Sequence, residues 1–196
     1  MAQVDPDDDG PDLVLLPDWL ACAQAAALEQ ALLRGLPWQV HRVRMFGREI
    51  DSPRLSCWIG DPGTAYRYSG VRHEPQPWPP ALLPVRDRLL GETGVVFNSV
   101  LANLYRDGRD CMGWHSDDEP ELGARPLIAS LSLGATRRFA LRHRRDPSRR
   151  LVLELPAGSL LLMRGQTQAR WRHALPRTAR PVGPRINLTF RRIVAG

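Results

Sequence analysis

Seven short runs of strand character crowd the chain from residue 95 onward: VVFNSVLANLY, LIASLSLG, TRRFALRHR, RLVLELP, SLLLMRG, ARWRHAL and RINLTFRRI. Gly, Pro and charged turns separate them. So many short strands at such close spacing predict a β-sandwich or jelly roll. Nowhere do strands alternate regularly with helices, which argues against a doubly wound parallel sheet. No internal repeat is visible.

The upstream half supplies helices and loops. Residues 1–12 read as a disordered acidic tail. Asp18 is the expected N-cap of a helix, WLACAQAAALEQALLRG, ended by Gly35. WQVHRVRMFGREI alternates as a strand does and breaks at Phe46-Gly47. Residues 51–80, rich in Pro, Gly and aromatics, read as loops with short strands. PPALLPVRDRLLGETG predicts a second helix, despite Pro84, ending near Gly91. The expected fold class is mostly β with flanking helices (α+β), one domain in all. Its parts are the tail over 1–12, helical support with hairpins and loops over 13–94, and the β-rich core over 95–196.

Charge is unevenly spread. The chain of 196 residues carries a net +6, but its first 18 residues hold six Asp and no basic residue. The remainder has 27 basic and 15 acidic residues, a net +12, and every basic residue is arginine. A body this basic suits a polyanionic partner. No apolar run approaches the ~18 residues that span a bilayer. The N-terminus lacks the basic-then-apolar layout of a signal peptide, so a cytoplasmic protein is expected. The three cysteines, Cys22, Cys57 and Cys111, have no C-x-x-C spacing and suggest neither a disulfide framework nor a zinc site.

Chemistry concentrates in GWHSDDEPE, residues 113–121, which gathers four carboxylates around one imidazole. Something positive is expected there, a metal ion or a cationic substrate. In an extended segment residues two apart point the same way, so His115 and Asp117 can approach one metal. A third ligand is needed, and His173 in RWRHALP ends a later strand. Two His and one carboxylate on one face of Fe(II) leave three positions open, the arrangement of non-haem iron oxygenases. In RINLTFRRI, Arg185, Asn187, Thr189 and Arg191 share one parity and line one strand face. Two arginines on a buried face are costly unless an anion pairs with them. A dicarboxylate would do so through charge-assisted bonds. Asn103 and Tyr105 also share parity and add neutral donors. Each residue alone also has a bland reading, as a satisfied core histidine, a solvated turn or an ordinary charged strand edge.

Taken together, the order N-x-Y, H-x-D-x-E, H, then R-x-N-x-T-x-R resembles the AlkB family of Fe(II)/2-oxoglutarate dioxygenases. The resemblance runs from about Trp38 to Ile193 and is strongest from Phe97 onward. FNSVLANLYRDGRDCMGWHSDDE, PLIASLSLGATRRF and RINLTFRRI look most like the branch that repairs duplex DNA. It implies a double-stranded β-helix, a jelly-roll variant. His115, Asp117 and His173 match the iron ligands. Asn103, Tyr105, Arg185, Asn187, Thr189 and Arg191 match the 2-oxoglutarate pocket, with Arg185 on the distal carboxylate. O2 is the co-oxidant, and decarboxylation yields succinate and CO2.

The resemblance also implies a substrate: bases methylated on a ring nitrogen, such as 1-methyladenine and 3-methylcytosine, which are cations at neutral pH. Asp118 and Glu119 are expected to favour that charge. Hydroxylation of the N-methyl group would release formaldehyde and restore the base. Methylation blocks pairing, so such bases flip out cheaply. Tyr68 matches the family's base-stacking aromatic, with Tyr66 nearby. Phe46, within Met45-Phe46-Gly47-Arg48, matches an apolar hairpin tip that wedges into the stack. Arg142, Arg144 and Arg145, with Arg177 and Arg180, are expected to contact phosphates. One departure bears on strandedness: duplex-acting relatives carry a longer basic loop where this chain has only HRRDPS.

The leading expectation is therefore an oxidative demethylase of DNA, acting as a monomer, cytoplasmic and nucleoid-associated. Alternatives are an RNA or tRNA demethylase of the same superfamily, a protein hydroxylase, and a non-catalytic nucleic-acid binder that kept the fold.

Overall fold

The structure, a computed structural model, describes residues 10–45, 48–64, 66–68 and 71–194. In chain order its elements are β1 (Asp12–Leu16), α1 (Cys22–Gly35), β2 (Gln39–Met45), β3 (Arg48–Gly60), β4 (Tyr66–Tyr68) and β5 (Val71–His73). There follow α2 (Leu83–Thr93), β6 (Ser99–Tyr105), β7 (Met112–His115), β8 (Ile128–Gly134) and β9 (Arg137–His143). The last are β10 (Arg150–Leu155), β11 (Leu160–Arg164), β12 (Trp171–Leu175) and β13 (Arg185–Arg191). A seven-stranded sheet runs β1-β11-β8-β13-β6-β3-β2, and a four-stranded sheet runs β10-β9-β12-β7. Among the described residues the strand ladders are antiparallel, and an isolated bridge joins Ile59 and Gln76 in parallel. This is the jelly roll expected from the density of short strands.

Period-two alternation divides the large sheet into two faces with different fates. Ile186, Leu188 and Phe190 of β13 join Val100, Ala102 and Leu104 of β6 and Ala129, Leu131 and Leu133 of β8 on one face. Helices α1 and α2 cover it with Ala25, Leu28, Leu32, Val85 and Leu89. Burying each large aliphatic here contributes roughly 1.5–3 kcal/mol. A second cluster fills part of the space between the sheets, with Ile128, Leu161 and Met163 against Phe139, Leu141 and Trp171. At β13, β6 and β3 that inner face turns polar, and there the pocket lies.

Three local expectations need correction. Helix α1 starts at Cys22, capped at Ala21, not at Asp18. The Ala21 N–H donates to Gln24 Oε1 at 3.3 Å, so a side chain three residues inside the helix does the work assigned to the cap. Trp19 and Leu20 are instead buried in the core, which pins the preceding turn. Helix α2 runs past Gly91 to Thr93, and Gly94 ends it at φ +69°, a left-handed cap that glycine adopts without strain. Pro84 lies in its first turn, where no N–H is needed. Residues 51–60 are not loop but part of the long strand β3. Its register against β2 shifts between Val40 and Arg42, opposite Pro53, so the proline falls in a bulge and forfeits no regular ladder bond.

Candidate metal centre and polar pocket

Strand pairing alone brings two of the expected ligands together. His115 at the end of β7 is the cross-strand partner of His173 on β12. Their ring centroids are 4.2 Å apart. A bulge in β7 sets Met112 opposite Leu175 and lets both Met112 and His115 line the pocket. Asp117 follows two residues later, with its Oδ1 3.8 Å from His115 Nε2. Ligand atoms of His115, Asp117 and His173 all lie within 4.8 Å of one another. The turn that carries Asp117 is tied down: Ser116 Oγ donates to the Trp171 carbonyl at 2.8 Å, and the Asp117 N–H donates to Gln168 Oε1 at 3.0 Å.

Protonation states suit a cation. His115 Nδ1 is 2.9 Å from the Gly113 carbonyl, which can only accept, so Nδ1 carries the proton and Nε2 offers a lone pair. Burial pushes the His173 pKa down to about 3, with a smaller push from His115. Burial likewise lowers His115, only partly opposed by Asp117. Both rings are neutral at pH 7, the form that ligates metals. For Asp117, burial pulls the pKa up, but the charge of Arg191, joined by the imidazoles once acid protonates them, holds it down at about 2. Arg191 Nη2 lies 2.8 Å from Asp117 Oδ1, and both side chains are buried. Two neutral imidazoles and one carboxylate, close together and oriented by neighbouring groups, fit Fe(II).

Beside the triad is a cavity of about 60 Å³. Arg185 borders it at 1% exposure, its Nη2 donating to Ser132 Oγ at 2.9 Å. Its buried Nε has no hydrogen-bond partner, and its guanidinium lies 5.5 Å from the centre of the Tyr105 ring. Burial lowers its pKa to about 10, which still leaves it charged at pH 7. A buried cation with an idle donor fits the carboxylate of a small diacid such as 2-oxoglutarate. The register explains the convergence: Arg185 pairs with Tyr105 on one side and Gly134 on the other, and Asn187 with Asn103 and Ser132. Asn187 Nδ2 donates to Ser130 Oγ at 2.8 Å and Thr189 Oγ1 to Asn187 Oδ1 at 3.1 Å. Serines on the flanking strand leave room that larger residues would fill.

Arg54 joins the pocket although no local motif predicts it. It is buried, and its Nε donates to Asn103 Oδ1 at 2.6 Å while Nη1 donates to Ser52 Oγ at 2.8 Å. The available signal was the alternation Ser52, Arg54, Ser56 in a segment read as loop. Arg191 was expected among the 2-oxoglutarate contacts; it lines the pocket, and its ion pair goes to Asp117. Glu119 also lines the pocket. Asp118 is half-exposed and is engaged by the Arg144 guanidinium, so one expected base contact and one expected phosphate contact hold each other. Arg142 stacks over Trp114 instead of standing free, and Arg145 is exposed in the β9–β10 turn. Arg177 and Arg180 border a second cavity of about 220 Å³, away from the triad. Met45 and Arg48 are the last register pair of the β2–β3 hairpin, while Phe46 and Gly47 lie outside the described residues. Tyr66 and Tyr68 belong to β4, which pairs with β5.

Residues 12–191 match the family model of the 2OG-Fe(II) oxygenase superfamily. The chain belongs to that superfamily. It is 40% identical over 188 residues to bovine alpha-ketoglutarate-dependent dioxygenase alkB homolog 3, covering 91% of this chain and 65% of that protein. To the human DNA oxidative demethylase ALKBH2 it is 46% identical over 160 residues, covering 78% and 61% respectively. To its mouse counterpart it is 44% identical, covering 78% and 67%. Within the superfamily the chain therefore belongs to the AlkB family. It spans about 65% of the length of the first of these relatives. The solved structure of OsALKBH1 superposes with a TM-score of 0.66 at 16% identity, covering 93% of this chain and 97% of that one, a likeness of fold.

Proposed function

We propose that the protein is an Fe(II)- and 2-oxoglutarate-dependent demethylase of N-alkylated bases in DNA. One observation carries the reading: a His115–Asp117–His173 cluster lies beside a buried Arg185 that keeps an idle donor. His115, Asp117 and His173 would hold the iron, and Arg185, with Ser132 and Tyr105 around it, would hold the distal carboxylate. When bound, iron with 2-oxoglutarate and O2 supplies an oxidant that no side chain provides. The N-methyl group becomes N-hydroxymethyl as 2-oxoglutarate and O2 become succinate and CO2, and the N–C bond then breaks to give formaldehyde and the base.

The chain's own residues hold and sort the reactants. Arg191 keeps Asp117 ionised, and Gly113 fixes the His115 tautomer. Arg54 turns Asn103 so that its carbonyl oxygen is occupied and its amide can donate into the pocket. Asp118 and Glu119, next to the metal ligands, favour a cationic base over its neutral parent. Arg144 engages Asp118, and of the two carboxylates Glu119 lines the pocket. The DNA oxidative demethylase ALKBH2 relatives and the basic body support DNA as the polymer.

Anaerobic loading with Fe(II) and 2-oxoglutarate, followed by air and mass spectrometry of oligonucleotides containing 1-methyladenine or 3-methylcytosine, tests the proposal. Net loss of one CH2 from the oligonucleotide, with equimolar succinate, is the expected result. Succinate without base change would overturn it. Faster turnover on RNA than on DNA would move the substrate to RNA.

A further inference from the structure

The outer face of the four-stranded sheet carries a row of like charges that the pocket does not explain. Arg150 of β10 lies directly opposite Arg142 of β9, which lies directly opposite Arg172 of β12. Like charges in direct cross-strand register destabilise a sheet. Among the described residues no carboxylate pairs with any of the three. The next row, Val152, Ala140 and Ala174, is small and apolar, with Val152 exposed and Ala174 buried. Glu154 lies a further row away, opposite Arg138. At the edge of the same face, on β7, Trp114 is 39% exposed, with the Arg142 guanidinium 4.3 Å from its ring centre.

We propose that this face docks a single-stranded DNA segment that continues from the pocket mouth around edge strand β7. Its phosphates follow the row Arg150–Arg142–Arg172, and one base stacks on the exposed part of Trp114. Spacing supports the assignment. Strands about 4.8 Å apart place the outer two arginine backbones about 10 Å apart, close to the axial rise of three stacked nucleotides at about 3.4 Å each. A basic track beside an exposed aromatic is the combination that holds single strands without sequence preference. Continuity supports it too: Trp114 and His115 are neighbours on one strand, so the track begins on the reverse side of the strand that bears a metal ligand. The inference rests on the demethylase reading, and binding is measured apart from turnover so that the two can fail separately.

The experiment compares a 20-nucleotide single-stranded DNA carrying one central 1-methyladenine with a 5-nucleotide version too short to round the sheet edge. Affinity is read by fluorescence anisotropy over a salt series, and turnover by mass spectrometry. In Arg150→Ala/Arg172→Ala, binding of the long oligonucleotide weakens about tenfold, and the slope of log affinity against log salt falls by about 1.4, at about 0.7 per lost phosphate contact. Trp114→Ala weakens long-oligonucleotide binding at least about fivefold, while Trp114→Phe retains most of it. Turnover of the short oligonucleotide stays unchanged in Arg150→Ala/Arg172→Ala. Arg34→Ala, which removes an exposed charge from helix α1, leaves the slope alone. An unchanged slope in the double variant, or equal losses for both lengths, would overturn the assignment. Wild-type protein that binds the long strand but turns over neither oligonucleotide would sink the demethylase reading and leave the docking surface standing.

Discussion

The two ends of the pocket are balanced in opposite ways. At the triad end, Asp117 is ion-paired with Arg191 and flanked by two neutral imidazoles, so the ligand set is held in place before any metal arrives. At the far end, Arg185 is equally buried, yet among the described residues it has no carboxylate partner: a hydroxyl and an aromatic ring flank it, and Arg137 adds a like charge. The triad end pairs its buried cation with a carboxylate. The far end leaves its buried cation without one among the described residues, which costs stability until an anion completes it. The contrast teaches what each end is for, and mutation should separate them by sign.

The largest effect is expected from Asp117→Ala, which removes both a ligand and the buried partner of Arg191. Breaking a buried pair costs about 3–5 kcal/mol, so the metal-free protein should melt roughly 10 °C lower, at 2–4 °C per kcal/mol. Calorimetry checks it, and an unchanged Tm would mean the pair is not a unit. Arg185→Met should act oppositely. The metal-free variant should be more stable by about 1–4 kcal/mol, because an incompletely partnered cation is exchanged for apolar volume. Its KM for 2-oxoglutarate should rise about 10- to 150-fold, the worth of a charge-assisted bond. A variant both less stable and normal in KM would break the comparison.

Gln168→Ala should fall between these extremes. It frees the Asp117 backbone without touching a ligand, so Fe(II) affinity by equilibrium dialysis should weaken about tenfold. The smallest effect is expected from acid. The folded pKa of His173, about 3, lies below its ordinary value of 6.5. Its contribution is therefore whole above pH 6.5 and drains away as pH falls toward 3. Asp117, held at about 2 against an ordinary 3.8, loses its contribution only below pH 3.8. The metal-free protein should lose a few degrees of Tm between pH 7 and pH 5, and His173→Gln should flatten that slope.

Legibility in the sequence followed the same divide. His115, Asp117 and the row Arg185, Asn187, Thr189, Arg191 were legible because strand periodicity fixes which side chains share a face. Pairing of His173 with His115 needed the sheet order, which no local pattern carries. Arg54 was hidden because Pro53 and its flanks resemble a loop, and only the bulge against β2 keeps the strand continuous. Long-range partners such as Arg191 on Asp117, or Arg144 on Asp118, join residues that nothing local relates. The start of α1 was misplaced because Asp18 looks like a cap, while burial of Trp19 and Leu20 decides otherwise.

The central claim is that one ferrous ion and one dicarboxylate share this pocket, held at opposite ends by the triad and by Arg185. Anaerobic calorimetric titration of 2-oxoglutarate into protein with and without Fe(II) tests it most directly. One site per chain is expected, with binding markedly tighter when iron is present and weakened in Arg185→Met. Equal affinity with and without iron, or Arg185→Met titrating like the parent protein, would contradict it.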